Sequence, residues 1–225
     1  EQPEASAYLD LLLTAALYRY SNHVYSGRYN PQEFDVDWHI SNQPLPVSRL
    51  FADVAEKESI TPLLKELPPQ HSGYRLLKKE LKHYRELEQQ GGWQSFKAGP
   101  VLETGVQHRQ VLQLRQRLVT TGDLAECSVC GIDIFDRRLA QAVERFQRRH
   151  GLMEDGRVGR QTRLALNITP AEKIRQILVN MERWRWMPRK LGTRYLMVNM
   201  TGFELYIMDN GFSELTMPVI IGKAY

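Results

Sequence analysis

Apolar residues recur at helical spacing along most of the chain and switch to strict alternation only near its end. Leu9, Leu12, Leu13, Ala16, Leu17 and Tyr20 fall three or four residues apart, which predicts a first helix that buries one face. Val47 to Lys57 reads as a second helix with Ser48 placed to cap it. "SITPLLKEL" predicts a short third, with Thr61 as cap and Pro62 in the first turn, where its missing N–H costs nothing. Tyr74 to Gln90 predicts a long charged helix whose Leu77, Leu81, Tyr84 and Leu87 form one stripe, the pattern of core packing. The stretch "YNPQEFDVDWHISNQPLPV" carries three prolines and several turn formers and is expected to be irregular.

"QQGGWQSFKAGP" reads as a linker by composition. A new unit follows it. Val111, Leu114 and Leu118 line a helix that stops at "TTG", and a loop holding Cys127 and Cys130 comes next. Leu139, Ala142, Val143 and Phe146 define the following helix, with Asp136 as its N-cap and Gly151 at its end. Asp155-Gly156 is a tight turn, and a short helix between Val158 and Leu166 closes a three-helix unit near Asn167. Ile168 to Trp186 predicts a further helix, opened by Thr169-Pro170, with Ile174, Ile177, Leu178 and Met181 as its apolar stripe. From Tyr195 the period drops to two: Leu196, Val198 and Met200 alternate, then Phe203, Leu205 and Ile207, with "DNG" as a hairpin turn and "LTMPVIIG" as a third strand.

The fold class expected is therefore mainly α, with a short β-meander at the end. A helical scaffold-like domain spans 1–97, a three-helix domain 98–167, a connecting helix 168–190, and strands 191–225 begin an all-β domain. Three strands do not complete a sheet domain, so the outer edge of this meander is expected to be paired by something else.

Composition narrows the class. At 225 residues, 42% hydrophobic and 25% charged, the chain reads as an ordinary soluble globular protein of one large or two small domains. Its formal charge of +4 and pI of about 9.1 favour anionic partners. The most apolar early stretch, "YLDLLLTAAL", is too short to span a bilayer, contains Asp10, and has no basic segment before it, so it is not an intact signal peptide. The start at Glu1 without a methionine is expected to reflect a removed signal or trimming. Cys127 and Cys130 stand in "CSVCG" and could form a local disulfide, stay as free thiols, or join His108 and His150 at a metal. A disulfide would suit an oxidising compartment. There is no P-loop, HExxH, GxSxG or dinucleotide fingerprint, and neither a metal nor an organic cofactor is called for.

The stretch "AVERFQRRHGLMEDGRVGRQTRLAL" is the richest in chemistry. Eight arginines lie between Arg137 and Arg163, against Glu144, Glu154 and Asp155. A helix-turn-helix that reads DNA is one interpretation. Its turn is long for that motif and carries two acids where phosphate would approach, so nucleic acid is not the expected partner. The planar fork of arginine suits carboxylates, and Arg149, Arg157 and Arg160 are candidate ligand contacts. Trp184 and Trp186, two residues apart on a helix and so facing different ways, are candidates for stacking on a sugar ring.

The segment "FDRRLAQAVERFQRRHGLMEDGRVGRQTRLALN" resembles the peptidoglycan-binding domain of bacterial wall enzymes. The matching positions are Ala142, Val143, Phe146, Gln147, Gly151, Leu152, Asp155, Gly156, Val158, Gly159 and Thr162. Of these, Phe146, Gly151, Asp155, Gly156, Gly159 and Thr162 are expected to build the domain and not to touch ligand. "YLMVNMTGFELYIMDNGFSELTMPVIIGK" is similar to the first strands of the L,D-transpeptidase catalytic domain. "LPPQHSGYRLLKKELKHYREL", with "WHI" upstream, resembles the helical scaffold domain of the large Gram-negative L,D-transpeptidases. The three parts stand in that family's order. The resemblance implies a periplasmic protein, anchored to the inner membrane before trimming and peripheral to it at most. Its partner would be peptidoglycan or its stem peptides. It implies a cysteine acyl-enzyme that makes 3-3 cross-links. The family's Ser/Thr-His-Gly-Cys segment does not occur here, so no catalytic residue is assigned, the nucleophile is expected beyond Tyr225, and this chain alone is expected to be inactive. The alternatives are a non-catalytic wall-binding module and, after it, a helix-turn-helix DNA-binding protein.

Overall fold

A computed structural model of the chain describes residues 2–34, 38–40, 43–56, 60–125, 131–200 and 202–222. Eight α-helices and three strands follow one another: α1 Gln2–Ser26, α2 Val47–Glu56, α3 Thr61–Glu66, α4 Ser72–Gln89, α5 Gln110–Thr120, α6 Arg137–Arg149, α7 Arg160–Leu166, α8 Pro170–Trp186, then β1 Arg194–Asn199, β2 Glu204–Asp209 and β3 Phe212–Pro218. The chain forms two compact units. One comprises Glu1–His83 with Ile174–Tyr225, and the other Tyr84–Lys173. The mainly α class with a terminal antiparallel sheet is as the periodicities predict.

In the first unit a small core of Leu45, Leu50, Leu63 and Leu67 is joined by Val24, Tyr25, Val54 and Leu64. Helix starts differ from expectation in detail. Ser48 lies inside α2, and Thr61 is the first residue of α3, whose N-cap position, Ile60, makes no side-chain cap. The larger difference is α1. Its expected buried face is uncovered among the described residues: Tyr8, Leu9, Leu11, Leu12 and Leu13 are all exposed. Leu11, Leu12 and Leu13 are consecutive, so they point around the helix and no single neighbour could cover them. Only the far end of α1 is held. Ser21 and Ser26 are buried, and Ser26 Oγ donates to the Gln43 carbonyl at 2.8 Å.

The end of α8 closes this unit. The Glu182 carboxylate accepts from the backbone N–H groups of Arg28 and Tyr29, just past α1, and pairs with Arg185 at 2.7 Å. Trp186 sits edge-on to Trp38 with ring centroids 5.6 Å apart, and Trp184 lies 5.2 Å from the His71 ring. Gly73 lets Trp184 in: a Cβ there would stand 2.4 Å from Trp184 Cζ2.

The sheet is an antiparallel meander in the order β1-β2-β3, with Leu196 opposite Ile207 and Ile207 opposite Leu215. Asn210 and Gly211 both have positive φ, 49° and 84°, the turn whose twist matches a two-residue hairpin. β3 begins at Phe212, earlier than the apolar run suggested. Among the described residues the three strands bond only to one another, and β3 is exposed throughout.

The second unit has the larger core, in which Leu102, Val111, Leu114, Leu118, Phe135, Leu139, Val143, Phe146 and Val158 have no exposed surface. The presumed linker is part of it. Phe96 is buried, its N–H donates to Asn167 Oδ1 at 2.6 Å, and its carbonyl accepts from Asn167 Nδ2 at 3.1 Å. Two isolated bridges, Leu102 with Val158 and Gln107 with Ile134, tie the loops together.

Candidate functional site

Helix α6 organises the second unit. Asp136 caps it, its carboxylate accepting from the Leu139 N–H at 2.7 Å. At the other end Gly151 takes φ +64°, which lets the Leu152 N–H reach the Gln147 carbonyl at 2.9 Å and ends the helix. Leu139, Ala142, Val143 and Phe146 face the core and the arginines face away from it.

Gln147 lies on the buried side and locks the turn that follows. Only 2% exposed, it donates through Nε2 to Asp155 Oδ1 (2.8 Å), the Arg157 carbonyl (3.0 Å) and Thr162 Oγ1 (3.1 Å). Its Oε1 accepts from the Gly156 N–H at 3.0 Å. The Thr162 hydroxyl donates to the Arg157 carbonyl at 3.2 Å. Gly156 has φ +66°, and Gly159 is the N-cap residue of α7. Asp155, Gly156, Gly159 and Thr162 therefore shape a rigid turn around one saturated amide. The sequence pattern included Gln147 with these positions, but the hydrogen bonds that join them are seen only in the structure.

Most arginines of this unit are occupied by structure. Arg115, 2% exposed, donates to the carbonyls of Ile132 (3.1 Å) and Ile134 (2.9 Å) and pairs with Asp136 at 2.7 Å. Arg163 donates to the carbonyls of Lys97, at 2.8 Å, and Pro100. Arg148 pairs with Glu154 at 2.6 Å, and Arg145 donates to the Asp123 carbonyl at 3.0 Å. Of the three candidate ligand contacts, Arg149 pairs with Asp123 at 2.6 Å and Arg157 with Glu103 at 2.7 Å. Arg160 is exposed and has no hydrogen bond or ion pair among the described residues.

One cluster carries excess positive charge. Arg117 is buried, donates to the Leu166 carbonyl at 3.2 Å, and lies 3.5 Å over the Trp93 ring, with Nη1 unpartnered among the described residues. Burial pulls its pKa down to about 10; Arg149 adds to that fall, and Tyr84 and Asp123 oppose it. The Lys173 ammonium is held below the ordinary lysine value by burial and by the Arg149 and Arg117 charges. Arg117 and Arg149 both feel the Asp123 carboxylate, and Lys173 in turn feels the charges of both arginines. The sequence reading missed Arg117, Lys173 and Trp93, because they sit at unremarked positions on α5, on α8 and in the segment read as a linker.

Trp184 and Trp186 belong to the first unit, where they pack as described, and are not part of this cluster. Cys127 and Cys130 lie outside the described residues. Among the described residues no group of His, Cys, Asp and Glu is arranged to hold a metal ion, and no helix is long and apolar enough to cross a membrane.

Comparison with known families matches two segments. Residues 1–81 match the Scaffold domain model, and residues 107–166 match the peptidoglycan binding domain model. No curated protein matches the chain. The second match covers α5 to α7 and the whole Gln147 turn. It supports a cell-wall-binding role, a location outside the cytoplasm, and peptidoglycan as a partner of this chain.

Proposed function

We propose that the chain is the substrate-binding and scaffolding portion of a periplasmic L,D-transpeptidase, with the three-helix unit holding peptidoglycan. The observation that carries this reading is the order of the two matched segments, scaffold first and peptidoglycan-binding second, followed by a meander whose sequence resembles the opening strands of that enzyme family. In the proposed enzyme a cysteine beyond residue 225 attacks the carbonyl before the D-amino acid at position four of the donor stem, that amino acid leaves with the proton, and the thioester's acyl group passes to a diaminopimelate amine of the acceptor, releasing the thiol. The Scaffold and binding units position substrate and take no part in bond making.

Stem peptides are rich in carboxylates. Arg160, Arg149 and Lys173 are candidate contacts for them: Arg160 is exposed and unpaired among the described residues, and Arg149 and Lys173 lie beside Arg117 in a group of three cations whose paired acid is Asp123. Co-sedimentation of the 225-residue chain with purified sacculi tests the binding role. Retention in the pellet, weakened severalfold by Arg160→Ala with Lys173→Gln, is expected; failure to pellet with sacculi sinks the wall reading. The same sample is expected to form no 3-3 cross-links from muropeptides, and detectable product from it would overturn the placement of the nucleophile.

A further inference from the structure

The first unit holds a cavity of about 400 Å³ that neither the binding role nor the cross-linking proposal uses. Its floor is the leucine core: Leu45, Leu50, Leu63 and Leu67 all line it. Arg189, Lys190 and Glu66 also line it. Arg189 is fixed in place. It donates through Nη1 to the Leu67 carbonyl at 2.7 Å and through Nη2 to the carbonyls of Glu66 at 2.8 Å and Pro68 at 3.2 Å. The Tyr25 ring lies 4.3 Å beneath its guanidinium. Three of its five N–H groups are thereby used. Among the described residues neither Arg189 nor Lys190 makes an ion pair, and Lys190 makes no hydrogen bond. Burial holds Arg189 below the ordinary guanidinium value, with Tyr25 and Tyr74 opposing.

A rigid cation, a flexible cation beside it and an apolar floor suit an anion that carries apolar groups. The volume falls within the range of about 300–1,000 Å³ usual for small-ligand sites. Glu66 and Gln43 also line the cavity and supply polar groups that a peptide unit, unlike a bare phosphate or a fatty acid, could use. We propose that this cavity binds the C-terminal end of a short peptide. The terminal carboxylate faces Arg189 and Lys190, the last amide N–H faces Glu66, and the apolar side chains rest on the leucines. That the natural source is a peptidoglycan stem peptide rests on the function proposed above; the site itself does not.

The test is calorimetric titration of the 225-residue chain with diacetyl-lysyl-D-alanyl-D-alanine and with its C-terminal amide, which lacks the charge. Saturable binding of the acid, at least tenfold weaker for the amide and for Lys190→Glu with acid, is expected. Lys190 bonds to nothing described, so that variant should fold, whereas Arg189→Gln frees three carbonyls and could unfold the unit. No saturation at millimolar acid, equal affinity for acid and amide, or affinity unchanged in Lys190→Glu each overturn the proposal. Sacculus pelleting in parallel separates the two ideas. Retention without acid binding removes the cavity site alone, and acid binding without retention leaves a peptide site and removes the wall reading.

Discussion

Helices α1 and α6 make opposite use of their apolar residues. α6 is studded with arginine, yet its Phe146 is fully buried; α1 is far richer in leucine, yet its Leu11 is 68% exposed. Distribution around the helix, and not apolar content, decides which one builds a core. In α6 the apolar side chains share one stripe, so a single surface can cover them and the arginines stay outside. In α1 they point all round, and only its last turns meet neighbouring residues. The exposed part of α1 is thus held by helix propensity more than by burial.

The sharpest way to break this contrast is a pair of truncations. Phe146→Ala opens a cavity in a closed core and should cost about 3–5 kcal/mol, whereas Leu11→Ala should change stability by no more than about 0.5 kcal/mol. Denaturant unfolding measures both, and equal losses would show that α1 is covered after all. Next in size is Gln147→Leu, which keeps the volume, strands the Gly156 N–H and leaves Asp155 with only the Arg157 N–H. It should cost about 2 kcal/mol and loosen the 153–159 turn, visible as faster amide exchange there.

Acid should weaken the second unit selectively. Burial lowers the His150 pKa from 6.5 to about 4; Lys173 and Arg149 add to that, and the Phe146 carbonyl opposes it. The folded state therefore holds this proton less tightly than the unfolded chain. Its stability contribution is whole above pH 6.5 and is lost as pH falls towards 4. Asp136 acts in the same direction at lower pH. Burial pushes its carboxyl up, but the Arg115 hydrogen bond and the Leu139 amide outweigh this and hold it below the usual range. His150→Gln should flatten the fall between pH 6.5 and 4 and leave the one below it; an unchanged profile would discount the buried imidazole. The smallest effect expected is Leu9→Lys, neutral in stability within about 0.5 kcal/mol and favourable to solubility.

Local signals reached far here. Asp136 before a periodic run, Gly151 after it, Asp155-Gly156 and Asp209 to Gly211 each fix backbone over a few residues, and the structure has caps and turns at all four. The candidate site was less legible. Arg115, Arg117 and Arg163 look like solvated charges in the sequence, since nothing local distinguishes an arginine that stitches loop carbonyls from one that faces water. Phe96 and Trp93 were hidden by glycine and serine neighbours that suggested a linker, although an aromatic pair within four residues is itself a sign of burial.

The sequence by itself determined the helical periods, the change to alternation near residue 195, the caps, and a binding-domain pattern strong enough to be matched independently over residues 107–166. These are properties of side chains within a turn or two of one another. Only the tertiary structure decided that α1 is left bare, that Gln147 joins four partners, which arginines are spent on carbonyls, and that Arg189 lines a leucine-floored cavity. Each of those depends on residues many positions apart meeting in space, and burial, charge balance and hydrogen-bond saturation exist only once they have met.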